Sequence, residues 1–593
     1  MSGENSNDSM TDELNTVQAQ LMIEELVRCR VETFCICPGS RSTPLVAAAA
    51  RNPRARTTMF YDERGAAFYA LGYARSTNRP AAVITTSGTG VANLMPAVAE
   101  ASVDKVPLLA LTADRPTELT DTGANQTLNQ ASMFGRYVRW TFDMPSPSRT
   151  VIPEAVLTTI DQAVSRCVGT HPGPVHLNCR FREPLEPTNF RYDAQSESRI
   201  RMWRESSCPF TTYETATAAT DKAVMQSITD LVGTTQRGLI VIGGLRDSNQ
   251  QQTAKRLAEK LAWPVYADIT SGLRLSGCGT NLIRHYDPQL LDEQFDEHAR
   301  ADVVLHIGGR TTSKRLGQFL DRNRPKSYIV VKNDPDRYDP IHAVTHHVQA
   351  DIASFCRALA DSIEPRENGA LAEFYQNKAS TAQAIIEEHV NAEPALTEAF
   401  VARHLSRTIA EATGLFVSNS MPIRDMDLYS DAATRMVMVD ANRGISGIDG
   451  IVASACGFAA GLDAAVTAVV GDVALIHDIN SLGIVGRSAQ PVIVITINNH
   501  GGGIFDFLGI SRHEDVFEEY FVTPHDYSFA GACETFGVTY RHTITKQAFI
   551  KAYSETVAAG TSAVIEVETD RKVNLKLRKN MKMAIIEALK ENS

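Results

Sequence analysis

TAVVGDVALIHDINSLGIVGRSAQPVIVITINN, residues 467–499, contains two apolar runs that each end in polar residues. The first run is followed by Gly471 and Asp472, and the second closes at Asn498 and Asn499. Because Asn499 lies 27 residues after Asp472, the segment is long enough for one strand–helix–strand crossover. We therefore expect Asp472 and Asn499 to lie at the ends of adjacent parallel strands.

The polar residues at these two strand ends are suited to a divalent metal ion. An aspartate carboxylate, an asparagine amide oxygen and a backbone carbonyl from the glycine run 501–503 are hard oxygen ligands, which Mg²⁺ and Mn²⁺ both accept, especially with a diphosphate. The pattern predicts Asp472, Asn499 and Gly501 as metal ligands. The alternative is an ordinary strand end, with Asp472 as a helix cap and Asn499 in a turn.

The alternation of short apolar strands and helical segments extends over the rest of the chain. Strands are predicted within residues 32–37, 82–85, 107–112, 238–244, 263–269, 302–309, 414–420 and 435–440. Strands that are apolar on both faces indicate parallel sheets covered by helices on both sides. We predict an α/β fold with three doubly wound parallel-sheet domains, whose functional loops follow the strand ends.

Composition and periodicity also suggest where the domains begin and end. The predicted segments are a polar N-terminal tail over 1–15, a first α/β domain over 16–195, a linker over 196–220, a middle α/β domain over 221–363, a helical connector over 364–391 and a last α/β domain over 392–593.

The bulk composition is that of an ordinary globular protein, with 43% hydrophobic and 21% charged residues. A net charge of -11 argues against a nucleic-acid partner, which selects for basic patches. The N-terminal residues do not read as a secretory signal, and no segment is apolar for long enough to span a bilayer. The cysteines lack zinc-site spacing. We expect a cytoplasmic protein with no membrane partner.

The Gly-Asp start and Asn-Asn end resemble the metal and diphosphate motif of thiamine-diphosphate enzymes, although Val473 replaces the usual third glycine. Such chemistry needs a carboxylic acid against the aminopyrimidine ring, because protonating this ring favours the imino tautomer that removes the thiazolium proton. Glu63, in DERG after the short strand TTMFY, is the candidate acid if burial keeps it protonated. A surface loop or helix start is the alternative interpretation.

Further motifs carry a more specific resemblance. They are CPGSRSTPL (37–45), DERGAAFYALGYA (62–74), TSGTGVANL (86–94), LTADRP (111–116), GANQT (123–127), SNSMPIRD (418–425), ANRGISGIDG (441–450) and NNHGGGIF (498–505). Over nearly its whole length, apart from the N-terminal tail and parts of the middle domain, the chain resembles the 2-succinyl-5-enolpyruvyl-6-hydroxy-3-cyclohexene-1-carboxylate synthase family of menaquinone biosynthesis.

The resemblance implies the thiamine-diphosphate-enzyme fold, with a pyrimidine-binding domain first, a noncatalytic domain second and a diphosphate-binding domain third. In this family the active site lies between the first domain of one subunit and the third of another, so a homodimer or a dimer of dimers is implied. The implied cofactors are thiamine diphosphate and Mg²⁺ or Mn²⁺. The implied transferase reaction decarboxylates 2-oxoglutarate, adds the resulting enamine 1,4 to isochorismate and releases CO2.

The resemblance also assigns roles to residues. The implied catalytic residues are Glu63, Gln126, Arg41 and Arg443. The implied cofactor contacts are Glu63, Thr86, Ser87, Gly88, Ser420, Ile448, Asp472 and Asn499. The implied substrate contacts are Ser40, Arg41, Arg115, Asn125, Gln126, Lys314, Arg315, Arg424, Arg443 and Phe505. Read alone, each arginine would more often form a surface salt bridge.

Two other functions compete with this interpretation. An acetolactate-synthase-like enzyme or 2-oxoacid decarboxylase would lack the arginines needed for a second dicarboxylate, so Arg424 and Arg443 favour the synthase family. A nucleotide-binding or regulatory α/β protein without catalysis is disfavoured because Glu63, Asp472 and Asn499 are present together.

Overall fold

The computed structural model describes residues 4–189, 194–214, 220–277, 279, 281–291, 299–367, 369–431 and 435–591, with side chains from residue 13 onward. Residues 1–3 of the predicted tail, 190–193 of the predicted first domain, 215–219 of the predicted linker and 592–593 of the predicted last domain lie outside this description. Two compact units are formed, one by Met1–Ala216 with Arg443–Leu462 and the other by Thr217–Asn442 with Asp463–Ser593.

The first unit contains a six-stranded parallel sheet in the order β2-β1-β3-β4-β6-β5. Its strands are β1 (Thr33–Ile36), β2 (Arg56–Met59), β3 (Ala81–Thr85), β4 (Leu108–Asp114), β5 (Trp140–Met144) and β6 (Pro174–Arg180). The helices of this part are α1 (Glu4–Arg28), α2 (Thr43–Arg51), α3 (Glu63–Thr77), α4 (Thr89–Ala92), α5 (Met95–Asp104), α6 (Pro153–Val168) and α7 (Ala194–Glu205).

The second unit begins with a five-stranded parallel sheet in the order β11-β10-β9-β7-β8. Its strands are β7 (Gly238–Ile242), β8 (Val265–Ala267), β9 (Val303–Ile307), β10 (Ser327–Lys332) and β11 (His346–Gln349). The described helices are α8 (Lys222–Thr234), α9 (Ser248–Leu261), α10 (Leu273–Ser276), α11 (Tyr286–Gln289), α12 (Lys314–Arg322), α13 (Ile352–Ser362) and α14 (Ala370–Ala392).

The second unit continues with a six-stranded parallel sheet in the order β13-β12-β14-β15-β17-β16. Its strands are β12 (Gly414–Val417), β13 (Met438–Asp440), β14 (Val466–Gly471), β15 (Val492–Asn498), β16 (Thr539–Thr543) and β17 (Ala563–Glu568). The remaining described helices are α15 (Glu398–Thr408), α16 (Met421–Tyr429), α17 (Ile451–Leu462, in the first unit), α18 (Asp472–His477), α19 (Leu482–Val485), α20 (Glu514–Phe517), α21 (Ala530–Phe536), α22 (Lys546–Ala559) and α23 (Arg571–Glu591).

Each predicted strand is present, and the burial pattern explains why these strands are apolar along their whole length. In β7, Ile240 and Ile242 belong to one core cluster, whereas Leu239 and Val241 belong to a second cluster on the other face of the sheet. Successive side chains of a strand point to opposite faces. A sheet covered on both faces therefore requires an apolar residue at nearly every position, and the predicted α/β fold with three parallel sheets is confirmed.

Two glycine pairings hold α3 and α17 in close contact within the first unit. A Cβ added at Gly72 would lie 1.9 Å from the carbonyl oxygen of Ser454, and one at Gly457 would lie 1.9 Å from the carbonyl oxygen of Tyr69. Only glycine allows the two backbones to approach so closely. This contact fixes the helix that begins at Glu63 against the helix that follows the segment 441–450.

A buried carboxylate ties the chain after α7 to the N-terminal helix. Glu25 is fully buried, accepts a hydrogen bond from Trp203 Nε1 at 2.6 Å and also accepts the backbone N–H of Phe210. Burial, together with the nearby Asp161, raises the pKa of Glu25 to about 8.

Across the part of the chain that the structure describes, no helix is both long and apolar enough to cross a membrane.

Glu25→Gln is expected to remove a pH dependence of stability. The folded state keeps the Glu25 proton up to a pKa of about 8, whereas the unfolded state releases it near 4.5. Stability therefore falls as the pH rises between these values, and glutamine, which resembles the protonated acid, does not titrate. When melting temperatures are measured from pH 5 to pH 8, the difference between the variant and the native protein should shift in favour of the variant as the pH rises. A pH-independent difference would contradict this assignment.

Candidate active site

The predicted metal site lies where two neighbouring strands of the third sheet end. Strands β14 and β15 pair in parallel, with Gly471 opposite Ile497, so Asp472 and Asn499 follow adjacent strand ends as the sequence predicted. Asp472 Oδ2 accepts the backbone N–H of Gly501 at 2.9 Å. The crossover thus brings the three predicted ligands into one loop cluster.

The side chains in this cluster fit a divalent cation. Asn499 Oδ1 is buried and has no hydrogen-bond partner among the described residues, and buried polar atoms of this kind normally have one. Asp472 is 2% exposed, and its burial raises the pKa of its carboxyl group even though backbone N–H groups oppose the shift. An orphaned amide oxygen beside a buried carboxylate is a donor set that Mg²⁺ or Mn²⁺ can bind.

His525 is a neighbour of this site that the sequence analysis missed. Its Nε2 lies 3.3 Å from Asp472 Oδ2, and its side chain is 6% exposed. The backbone N–H of Tyr527 donates to His525 Nδ1 at 3.3 Å, and His525 Nε2 is buried without a hydrogen-bond partner among the described residues. His525 belongs to none of the predicted motifs, because it is distant from Asp472 in the sequence and approaches it only in the folded chain.

A cavity of about 840 Å³ lies within the second unit and is lined by many cationic side chains. Three predicted substrate residues line it together, namely Lys314, Arg315 and Arg424. The cavity also contacts Ile504 and Asp506, on either side of the predicted Phe505, whose ring packs against Phe521 at 5.5 Å. Further cationic lining comes from residues outside the predicted set: Arg512, Arg578, Lys579 and Lys582.

The predicted residues in this cavity are held in different ways. Arg315 forms an ion pair with Asp287, whereas Lys314, the first residue of α12, is exposed. Arg424, on α16, donates to the carbonyl of Ser420. Ser420 has a φ of +67°, which is uncommon for a residue other than glycine and is often found at functional sites.

In the first unit, three predicted residues form one hydrogen-bonded cluster. Gln126 Nε2 donates to the carbonyl of Ser87 at 2.9 Å, and Ser87 Oγ donates to the carbonyl of Gln126 at 3.1 Å. Arg115 donates to the same Gln126 carbonyl at 3.1 Å and contacts Ser87 Oγ. Gly88, with a φ of +84°, leaves space for the Gln126 side chain, 2.9 Å from where a Cβ would lie.

Arg41 and Arg115 are two cationic neighbours at this cluster, and acids offset part of their charge. Desolvation and the nearby Arg41 both lower the pKa of Arg115. Arg41 is 6% exposed and is engaged by Glu183 Oε1 at 2.6 Å and by the carbonyl of Phe181 at 3.1 Å. Two guanidinium groups that repel each other are better accommodated when an anion binds between them. The predicted Ser40, which begins a short 3-10 helix (Ser40–Ser42), and Asn125, in a loop, are exposed, and Thr86 is half-buried.

Glu63 is the first residue of α3 and is half-buried. Asp62 caps this helix by accepting the backbone N–H of Arg64 at 2.9 Å. Asn93 Nδ2 donates to Glu63 Oε2 at 3.2 Å, and a Cβ at Gly90 would lie 3.0 Å from Glu63 Oε1. The glycine-rich segment 86–94 therefore leaves room for the carboxylate and orients it.

The loop that carries Arg443 and Ile448 is anchored by a residue that the sequence analysis did not identify. Glu100 accepts the backbone N–H groups of Gly444 and Ile445, each at 2.7 Å. Arg75 Nη2 donates to Glu100 at 2.9 Å. Burial is the largest influence on the pKa of Glu100 and raises it.

A buried polar network beneath the segment 86–94 also escaped the sequence analysis. Gln130 accepts the backbone N–H of Gly88 at 3.3 Å and donates to Asn178 Oδ1 at 2.8 Å. Asn178 in turn donates to Asp114 at 3.0 Å. Such residues are recognisable only by their burial and partners, because a lone polar residue carries no spacing signal.

Comparison with protein-family models gives three matches in chain order. Residues 17–133 match the thiamine pyrophosphate enzyme, N-terminal TPP binding domain; residues 194–417 match the middle domain of thiamine pyrophosphate enzymes; and residues 430–567 match the thiamine pyrophosphate enzyme, C-terminal TPP binding domain.

Curated relatives are similar over almost the whole chain. A protein of Rubrobacter xylanophilus is 44% identical over 96% of this chain and 98% of its own length. Proteins of Prosthecochloris aestuarii and Salinibacter ruber are 41% and 42% identical over 97% and 96% of this chain, and 98% and 97% of their own lengths. All three are named 2-succinyl-5-enolpyruvyl-6-hydroxy-3-cyclohexene-1-carboxylate synthase. The predicted enzyme class and thiamine-diphosphate cofactor are therefore confirmed, and the chain belongs to this synthase family of thiamine-diphosphate enzymes.

Proposed function

We propose that the enzyme decarboxylates 2-oxoglutarate and joins the remaining four-carbon unit, in a 1,4 addition, to isochorismate. The observation that carries this proposal is the 840 Å³ cavity in which Lys314, Arg315 and Arg424 converge beside the segment that follows the predicted metal loop. Both substrates carry two carboxylates, and guanidinium and ammonium groups are the side chains that recognise them.

Thiamine diphosphate, when bound, supplies the nucleophilic carbon on which a 2-oxoacid loses CO2. Asp472, Asn499 and the Gly501 carbonyl would hold the metal ion that binds its diphosphate. Glu63 would hold a proton at the aminopyrimidine ring, and Ile448 would pack against the cofactor. Thr86, Ser87, Gly88 and Ser420 would line the cofactor through small side chains and backbone groups.

The remaining predicted residues would bind and orient the two substrates. Arg41, Arg115, Arg424 and Arg443 would receive carboxylates, while Ser40, Asn125 and Gln126 would orient neutral hydroxyl or keto groups. Phe505 would supply an apolar wall that excludes water. Active sites at the interface of a homodimer or tetramer, and a cytoplasmic location, remain predictions from the sequence.

The direct test is to incubate the purified protein with thiamine diphosphate, Mg²⁺, 2-oxoglutarate and isochorismate and to detect the adduct by mass spectrometry. Formation of the adduct with release of one CO2 is expected. Decarboxylation of pyruvate or another 2-oxoacid, with no adduct from isochorismate, would instead indicate a decarboxylase or an acetolactate-synthase-like enzyme.

Arg424→Ala is expected to weaken substrate use without weakening cofactor binding. Hydrogen bonds to charged groups contribute about 1.5–3 kcal/mol, so kcat/KM for a dicarboxylate substrate should fall roughly 10- to 150-fold. Steady-state kinetics and a thiamine-diphosphate titration would measure the two effects. Arg487→Ala, which removes an arginine outside the cavity lining, is the control. An equal loss of cofactor affinity in Arg424→Ala would contradict the substrate role.

A further inference from the structure

We propose that Glu398 is a positioning residue for the metal site, which fixes the Asn499 amide so that its oxygen faces the metal ion. The inference rests on the proposed role of Asn499 as a ligand and deepens it. Glu398 begins α15, far from Asn499 in the chain, and is 6% exposed. No predicted motif includes it.

The contact between the two side chains determines which end of the amide is available. Asn499 Nδ2 donates to Glu398 Oε1 at 2.7 Å, and the opposite atom, Oδ1, is the buried atom without a partner among the described residues. Glu398 Oε1 accepts this hydrogen bond, and an accepting oxygen must face the NH2 end of an amide. Rotating the amide by 180° would place oxygen against oxygen and turn the NH2 group toward the cation.

Glu398 is itself held by two residues of α23. Its backbone N–H donates to Asn574 Oδ1 at 3.0 Å, and its Oε2 accepts from Arg578 at 3.0 Å. Asn574 and Arg578 are four residues apart and therefore lie on one face of the helix. Arg578 also pairs with Asp425, a buried acid next to Arg424. Both the backbone and the carboxylate of Glu398 are thus anchored, as an orienting group requires.

Asp425 shows that this cluster is strongly desolvated. Burial raises the pKa of Asp425 to about 7, with Arg578 opposing the shift and Glu398 adding to it. The ring of Tyr429 covers the guanidinium of Arg578, whose carbon lies 5.4 Å from the ring centroid. In such surroundings hydrogen bonds are strong and an unpaired polar atom is costly. The Arg578 guanidinium therefore links Glu398 to Asp425 on α16, the helix that carries the predicted substrate residue Arg424.

The test measures metal affinity directly. Mn²⁺ binding to the full-length protein in the presence of thiamine diphosphate can be followed by electron paramagnetic resonance. Partners of metal ligands typically contribute 10- to 100-fold to metal affinity, so Glu398→Gln is expected to weaken Mn²⁺ binding by about that factor. Glu388→Gln, an exposed glutamate on α14, is the matched control and should bind Mn²⁺ like the native protein.

A double-mutant cycle tests whether the effect of Glu398 depends on which end of the residue 499 side chain faces the metal. In the Asn499→Asp background both side-chain ends are oxygens, and Glu398→Gln supplies an NH2 donor in place of the lost acceptor. The loss caused by Glu398→Gln should therefore be at least about tenfold smaller in that background. Equal losses in both backgrounds would overturn the proposal, because an orientation effect must shrink when both ends of residue 499 are oxygens.

Two further outcomes separate this inference from the proposed site. Normal Mn²⁺ binding in Asn499→Ala would show that the ligand assignment itself is wrong. Lost binding in Asn499→Ala with normal binding in Glu398→Gln would overturn only the positioning role. Circular dichroism would reveal whether Glu398→Gln folds. If it does not, the test compares Asn499→Asp with the double variant. The double variant must then fold and bind Mn²⁺ no more than about tenfold more weakly than Asn499→Asp.

Discussion

Glu63→Gln is expected to lower the rate of product formation by about 100- to 10,000-fold, the range that a positioned acid or base typically contributes. Glutamine has nearly the shape of glutamic acid, so the helix start at Asp62 and the contact with Asn93 should persist. What is lost is the proton that the proposed chemistry needs at the aminopyrimidine ring. The effect should therefore fall on the rate and leave the fold intact.

The measurement is the steady-state rate of product formation with cofactor, 2-oxoglutarate and isochorismate at saturating concentrations, alongside a melting curve. Glu205→Gln, at the exposed end of α7, is the control and should retain native rates. Near-native turnover in Glu63→Gln would refute the role of the acid. A collapse of the melting temperature would instead indicate that Glu63 is mainly a structural helix-start residue.

Local sequence was sufficient to predict the sheets and the neighbouring positions of Asp472 and Asn499 at two strand ends. The strands around Asp472 and Asn499 are apolar runs bounded by polar residues, and the parallel crossover then requires their ends to be neighbours. The spacing of two short motifs thus predicted a contact between distant residues, because chain topology leaves one simple way to connect them.

The residues that support the site could not be predicted in the same way. Glu398 contacts Asn499, and Arg578 contacts Glu398, only because α15 and α23 pack beside the third sheet. Glu100, similarly, contacts a loop more than 340 residues away. A lone buried glutamate or arginine has no periodic or spacing signal, and its charge alone suggests an exposed position. Knowledge of burial and of partners was needed to recognise these roles.

Asp472→Ala is expected to abolish metal-dependent cofactor binding. The change removes the charged ligand of the proposed site and a hydrogen-bond acceptor for the backbone of Gly501. Its effect on Mg²⁺ affinity should exceed the roughly 10- to 100-fold loss that changes in supporting residues cause. Without the metal, the diphosphate would meet a site that has lost its main positive charge.

A thermal-shift assay measures this effect independently of catalysis. A ligand at 100 times its dissociation constant stabilises a folded protein by about 2.7 kcal/mol, so thiamine diphosphate with Mg²⁺ should raise the melting temperature of the native protein. Asp472→Ala should show no such rise, whereas Asp230→Ala, an exposed residue on α8, should show it in full. An undiminished rise in Asp472→Ala would place the metal elsewhere, because a cation bound through Asp472 cannot keep its affinity once its anionic ligand is gone.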